Sequence, residues 1–167
     1  MKYVIILLIT AMLVCTGCAP QPNASSPAAT NSPAPLKIVS GEYRAVWNES
    51  YQYGKPLLID TFSDWEVFLM DHPGQSQTED PLMQDYDESF FRNSLIYAYI
   101  ESEPSGSITL LTGNAVRDGS ILKLYMQRIV PQVGTDDMAA RVCLFGITRD
   151  DAARVKKVEA VISEIHQ

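Results

Sequence analysis

Residues 107–130, SITLLTGNAVRDGSILKLYMQRIV, decide the architecture of this chain. Asp118-Gly119 separates two runs of alternating apolar residues, Ser107–Arg117 and Ser120–Val130. An Asp-Gly pair between such runs favours a tight mirror-image turn, so the stretch predicts a β-hairpin. Upstream, Leu95–Glu101 (LIYAYIE) is rich in strand formers, and Pro104-Ser105-Gly106 reads as a turn into the hairpin. Downstream, Pro131–Asp137 reads as a loop and Met138–Ile147 as the last strand. Nearer the N-terminus, Val39, Tyr43, Ala45 and Trp47 share one parity, the mark of a half-buried strand, and Pro56–Asp60 is a short apolar one.

Helix signals are few. Ser63-Asp64-Trp65-Glu66 has the form of a capping box and opens a helix that Pro73-Gly74 stops. Asp87 is placed to cap a short helical turn carrying Phe90 and Phe91. Thr148-Arg149-Asp150-Asp151 is a second start signal. After it, Val155, Val158, Ile162 and Ile165 recur at spacings of three and four, which predicts one face of a helix, with Lys156, Lys157, Glu159 and Glu164 on its wet side. The expected fold class is α+β: a mostly antiparallel sheet of about six strands, a central capped helix and a C-terminal amphipathic helix.

The first eighteen residues set the expected address. Lys2 precedes an uncharged apolar run, Tyr3–Val14, too short to cross a bilayer core of ~30 Å and of the length of a signal-peptide core. Cys15-Thr16-Gly17-Cys18 follows. Small residues directly before a cysteine at this place resemble the lipobox of bacterial lipoproteins, although Cys15 stands where that family usually carries an aliphatic residue. The resemblance implies cleavage after Gly17 and a lipid on Cys18, hence anchoring to the cell membrane on its extracytoplasmic face. Ala19–Pro35 (APQPNASSPAATNSPAP) holds no charge and five of the ten prolines, so it cannot bury a core. It is expected to act as a disordered tether spanning about 20–25 Å as a coil. The expected layout is thus signal peptide 1–17, lipidated cysteine and tether 18–35, and one globular domain 36–167.

Lys+Arg 13 against Asp+Glu 20 gives a net charge of −7, which disfavours nucleic acid as a partner. With Cys18 lipidated, Cys143 would have no disulfide partner in the mature chain, and the domain must rest on its core. The block from Tyr86 to Leu144, with Phe90, Phe91, Ser105, Gly106, Ser107 and Pro131, is similar to small uncharacterised lipoproteins of Gram-positive anaerobes. More distantly it resembles the C-terminal domain of protease-complex-associated, chaperone-like proteins of the PrcB type. That resemblance implies a β-rich domain holding an envelope protein partner, with no chemistry attached.

Catalytic signatures are sparse. Of two histidines, His166 is penultimate and His72 ends a helix, where a cation suits the dipole. Cys143 lies in an apolar strand, where an inert thiol is expected. Glu79–Glu88 holds five carboxylates, without the spacing of an EF-hand; a solvated acidic loop is expected, with calcium left open. No catalytic, cofactor or metal residues are assigned. A hydrolase would have to draw on carboxylates such as Asp85, Asp87 or Asp137. The best contact candidates are Trp47, Tyr51 and Tyr53, whose rings with Asn48, Glu49 and Gln52 between them could stack on a sugar or grip a peptide. The expected function is a non-enzymatic protein-interaction module, with a glycan or small-ligand binder as the alternative.

Overall fold

The computed structural model describes residues 33–75 and 85–167, and the hairpin in it lies where the sequence puts it. The chain runs β1 (Val39–Ala45), β2 (Pro56–Ile59), α1 (Phe62–Asp71), α2 (Glu88–Asn93), β3 (Ser94–Glu103), β4 (Thr109–Asp118), β5 (Ile121–Val130), β6 (Ala139–Thr148), α3 (Arg149–Ala152) and β7 (Lys157–His166). Asp118 pairs with Ile121, leaving a two-residue connection in which Gly119 adopts φ +61°. The mirror-image turns that match strand twist need a positive φ there, which glycine supplies without strain. Gly17, Cys18, most of the tether and the acidic residues 76–84 lie outside the described residues.

The fold is α+β, as expected, but its strands divide into two sheets. One is antiparallel, in the order β1-β6-β3-β2; the other has the order β4-β5-β7. Both faces of the first sheet are covered. Ile96, Ala98, Ile100, Val142 and Leu144 pack beneath Trp65 and Phe68 of α1, Phe91 of α2 and the buried Tyr86. Leu95, Tyr97, Tyr99, Phe145 and Ile147 on the opposite face meet Leu110, Leu122, Leu124 and Met126 of the second sheet. Burial on both faces explains why Leu95–Ile100 and Val142–Ile147 read as continuous apolar runs rather than alternations.

The last element differs from the sequence expectation. Residues 157–166 form strand β7, parallel to β5, and not an amphipathic helix. Thr148 does cap a helix, accepting from the Asp151 N–H, but α3 ends after one turn. Pairing with β5 satisfies the backbone and seals Val158, Ala160 and Ile162 over the inter-sheet core. Those positions fit a period of two as well as the helical spacing does, and the β-branched content of the segment favours the strand. The described residues therefore hold seven strands.

Smaller boundaries also move. α1 is capped two residues earlier than its sequence suggests: Thr61 accepts from Asp64 N, and the Asp64 carboxylate accepts from Thr61 N. Thr61→Ala should lower stability by about 1 kcal/mol, measurable by urea unfolding, whereas Ser63→Ala, outside the box, should be nearly neutral. At the N-terminal side, Pro35 bridges to Val116 and the Leu36 N–H donates to Ala115 O at 2.8 Å, so ordered pairing begins at the end of the tether.

Candidate functional site

Between the loop joining β1 to β2 and the C-terminal end of α1 lies a cavity of about 530 Å³. Asn48, Ser50, Tyr51 and Gln52 line it from the loop; Asp71 and His72 close it from the helix, with Leu57 and Met70 at its margin. Short local bonds hold the loop. Asn48 Oδ1 accepts from the N–H and the hydroxyl of Ser50 at 2.9 and 2.8 Å. Tyr53 Oη donates to Asn48 O at 2.9 Å, and Gly54 N donates to Ile100 O at 2.9 Å, tying the loop to the middle of β3. These ties fix the floor of the cavity to the sheet.

His72 is held from several sides. Its ring stacks on Phe68, centroids 4.3 Å apart, and meets the tilted ring of Tyr51 at 4.4 Å. Its Nδ1 lies 2.9 Å from Phe68 O, and its own carbonyl accepts from Tyr43 Oη at 3.0 Å. A carbonyl only accepts, so Nδ1 carries the proton, and in the neutral ring Nε2 presents a lone pair. The sequence reading of His72 as the helix end holds, since it is the C-cap of α1. Its aromatic sandwich, and its place in a cavity wall, were not legible. The signal that existed was Phe68, one helical turn before it on the same face.

Of the three rings singled out in the sequence, the structure brings two together. Tyr51 and Tyr53 lie 5.8 Å apart and turn inward to pack against the core of the first sheet. Burial, with Tyr53 and the Asp71 carboxylate adding to it, holds the Tyr51 hydroxyl above the ordinary tyrosine range, so it stays a donor. Trp47 stands apart and half-exposed, its indole N–H donating to Ser102 Oγ at 3.1 Å. Among the described residues, Gln52 and Asp71 make no side-chain hydrogen bond within the protein. The cavity thus offers an aromatic face, an amide and a carboxylate on a tethered frame.

The other chemistry-bearing groups are occupied by the fold. Asp87 caps α2, its carboxyl held low by the Ser89 hydroxyl and the Phe90 N–H. Asp137 is held low by Thr135 and by Arg44, with which it forms an ion pair. Asp85 is exposed. Burial pushes the Cys143 thiol up to about 12, so it stays protonated. A shallower hollow of about 390 Å³ lies beside Arg149, whose guanidinium is already spent on Asp60 and Phe91 O. No group of three or more His, Cys, Asp or Glu side chains is placed to hold a metal among the described residues.

One cluster escaped the sequence reading. Arg128 of β5 reaches between the sheets to Glu103 at 2.9 Å and Glu101 at 3.0 Å, and Tyr99 Oη donates to Glu101 at 2.7 Å. Glu103 is 1% exposed. The network closes the inter-sheet core at one end and carries no cavity of its own among those described.

Among the described residues, no helix is long and apolar enough to cross a membrane. Comparison with protein-family models, curated proteins and solved structures finds no match to this chain.

Proposed function

We propose that this chain is a membrane-anchored lipoprotein on the extracytoplasmic face, whose domain is a non-enzymatic module that grips a segment of an envelope protein. The observation that carries the reading is the cavity at Tyr51 and His72: a rigid frame around a carboxylate and an amide that the fold leaves unused. Such a mix of one aromatic face and a few convergent polar groups suits a short polar segment better than a reacting centre. The lipobox-like Gly17-Cys18 and the Pro/Ala/Ser stretch behind it supply the anchor and the reach. The carboxylates that a hydrolase would need, Asp87 and Asp137, serve a helix cap and an ion pair instead.

The address is tested by metabolic labelling. Palmitate should enter the wild-type protein, and Cys18→Ser should abolish both labelling and membrane retention. Equal labelling of the two would remove the anchor.

The site is tested by a photo-crosslinking residue at Gln52 of the full chain in its native membrane. A discrete protein adduct is expected from Gln52 and none from Arg154, an exposed position away from the cavity. Tyr51→Ala should lower adduct yield about tenfold, since it removes an aromatic anchor worth about 1–2 kcal/mol. A second reading, a saccharide stacked on Tyr51 with Gln52 and Asp71 bonding its hydroxyls, is favoured by the same amide and carboxylate. An adduct of glycan rather than protein would select it, and absence of any specific adduct would defeat both.

A further inference from the structure

The chemistry of the cavity at Tyr51 and His72 is one-sided. No lysine or arginine lines it, and with His72 neutral the Asp71 carboxylate is the one charge among its lining side chains. Asp71 is the last residue of α1, at the negative end of the helix dipole, and the last turn of α1 has no basic residue to offset it. Among the described residues no ion pair and no side-chain hydrogen bond uses this carboxylate. His72 adds to the bias: its Nδ1 is committed to Phe68 O, and no described side chain donates to Nε2. The Gln52 amide supplies a further acceptor oxygen that the fold leaves unused.

Open acceptors and negative potential beside an aromatic ring are what a cation with several N–H groups needs. The ring is in place: His72 and Tyr53 hold Tyr51 with centroids at 4.4 and 5.8 Å, and Asp71 is close enough to act electrostatically on the Tyr51 hydroxyl. The chain does not supply the cation from its remaining segments. Residues 76–84, SQTEDPLMQ, contain no lysine or arginine, and neither do residues 19–32. The cation that fits this place therefore belongs to another molecule.

We propose that the group held in this cavity is an arginine side chain of the partner, its guanidinium against the Tyr51 ring and its N–H groups on the Asp71 carboxylate, Gln52 Oε1 and His72 Nε2. The inference rests on the reading of the cavity as a grip on an envelope protein, and it names what is gripped. Arginine suits the site better than lysine. Its planar fork reaches acceptors on two separate elements, the loop and the helix end, and it lies flat on a ring, whereas an ammonium is a compact, strongly hydrated point charge. The placement of Asp71 works against the helix that carries it, because an anion at a helix C-terminus is unfavourable. Asp71→Asn should therefore raise the urea midpoint of the free protein slightly while it weakens binding.

The test places the photo-crosslinking residue at Met70, an exposed position at the cavity margin, which leaves every proposed contact intact in the full chain in its native membrane. The protein adduct should be displaced by excess Nα-acetyl-arginine amide, less well by Nα-acetyl-lysine amide, and not by Nα-acetyl-citrulline amide, which has nearly the shape of arginine without its charge. Asp71→Asn should lower adduct yield about fivefold, the upper range for an exposed ion pair. Glu66→Gln removes the same charge from an exposed position of the same helix that does not line the cavity, and should leave the yield unchanged. A protein adduct indifferent to the arginine amide and to Asp71→Asn overturns the guanidinium site and leaves the grip standing. Displacement by citrulline amide as strong as by arginine amide, or a lower urea midpoint in Asp71→Asn, also overturns it. Stronger displacement by the lysine amide overturns the choice of arginine. Absence of a protein adduct from both Met70 and Gln52 overturns the grip and this inference together.

Discussion

Arg128→Met is expected to destabilise the domain by about 3–5 kcal/mol, more than a surface arginine could. The guanidinium is the counter-ion of Glu103, which is 1% exposed, and it also bonds Glu101 and Glu164. Removing it leaves a buried carboxylate without a partner in a place that water does not reach. Burial already holds the Glu103 carboxyl above the ordinary glutamate value in the intact protein, despite Arg128. A carboxyl whose folded pKa is raised binds more protons folded than unfolded, so stability falls as pH rises through that interval. The loss in Arg128→Met should therefore shrink as pH is lowered below neutrality and Glu103 takes a proton. Arg128→Met with Glu103→Gln should be less destabilised than Arg128→Met alone. Urea titrations across that pH range check both points; a loss independent of pH would mean that packing rather than charge dominates.

Trp65→Ala is expected to cost a similar about 3–5 kcal/mol, by a different route. Trp65 is the anchor of α1 on the first sheet: it is 1% exposed, stacks on Phe68 at 5.8 Å and meets the edge of Tyr86 at 5.4 Å. The void left behind lies among Ile96, Ala98, Val142 and Leu144, whose strands are held by neighbours on both sides and cannot collapse into it. The effect should propagate to the cavity, because Phe68 supports the His72 ring. The Gln52 adduct should weaken in Trp65→Ala even at temperatures where the domain stays folded. Trp47→Ala, at a half-exposed ring with one hydroxyl partner, should cost under about 1 kcal/mol in the same unfolding assay. The contrast between the two tryptophans separates core support from surface contact.

The cavity beside Tyr51 and His72 was half legible. Tyr51, Asn48 and Gln52 stood out as rings and amides clustered on one loop, but the helix end that faces them, Asp71 and His72, is distant in sequence from that loop. Only the packing of Phe68 brings His72 against Tyr51. Trp47 belonged to the same sequence cluster, yet it points to β3 through Ser102, because the chain leaves β1 before the loop turns. The ionic network was hidden for a related reason. Glu101, Glu103 and Arg128 sit at strand positions where charge normally means solvent, and only the stacking of one sheet on the other places them inside.

By itself the sequence determined the local decisions: the Asp118-Gly119 turn, the cap at Thr148, the end of α1 at His72 and the existence of the strands at Leu95–Glu101 and Met138–Ile147. Each of these depends on residues a few positions apart, where backbone sterics and short hydrogen bonds act without help. Tertiary structure decided what the residues after α3 became. Val155, Val158, Ile162 and Ile165 satisfy the period of a helix, while Val158, Ala160 and Ile162 satisfy that of a strand. The free edge of β5 broke the tie, since ten residues of backbone could be paired there and an inter-sheet core sealed at once.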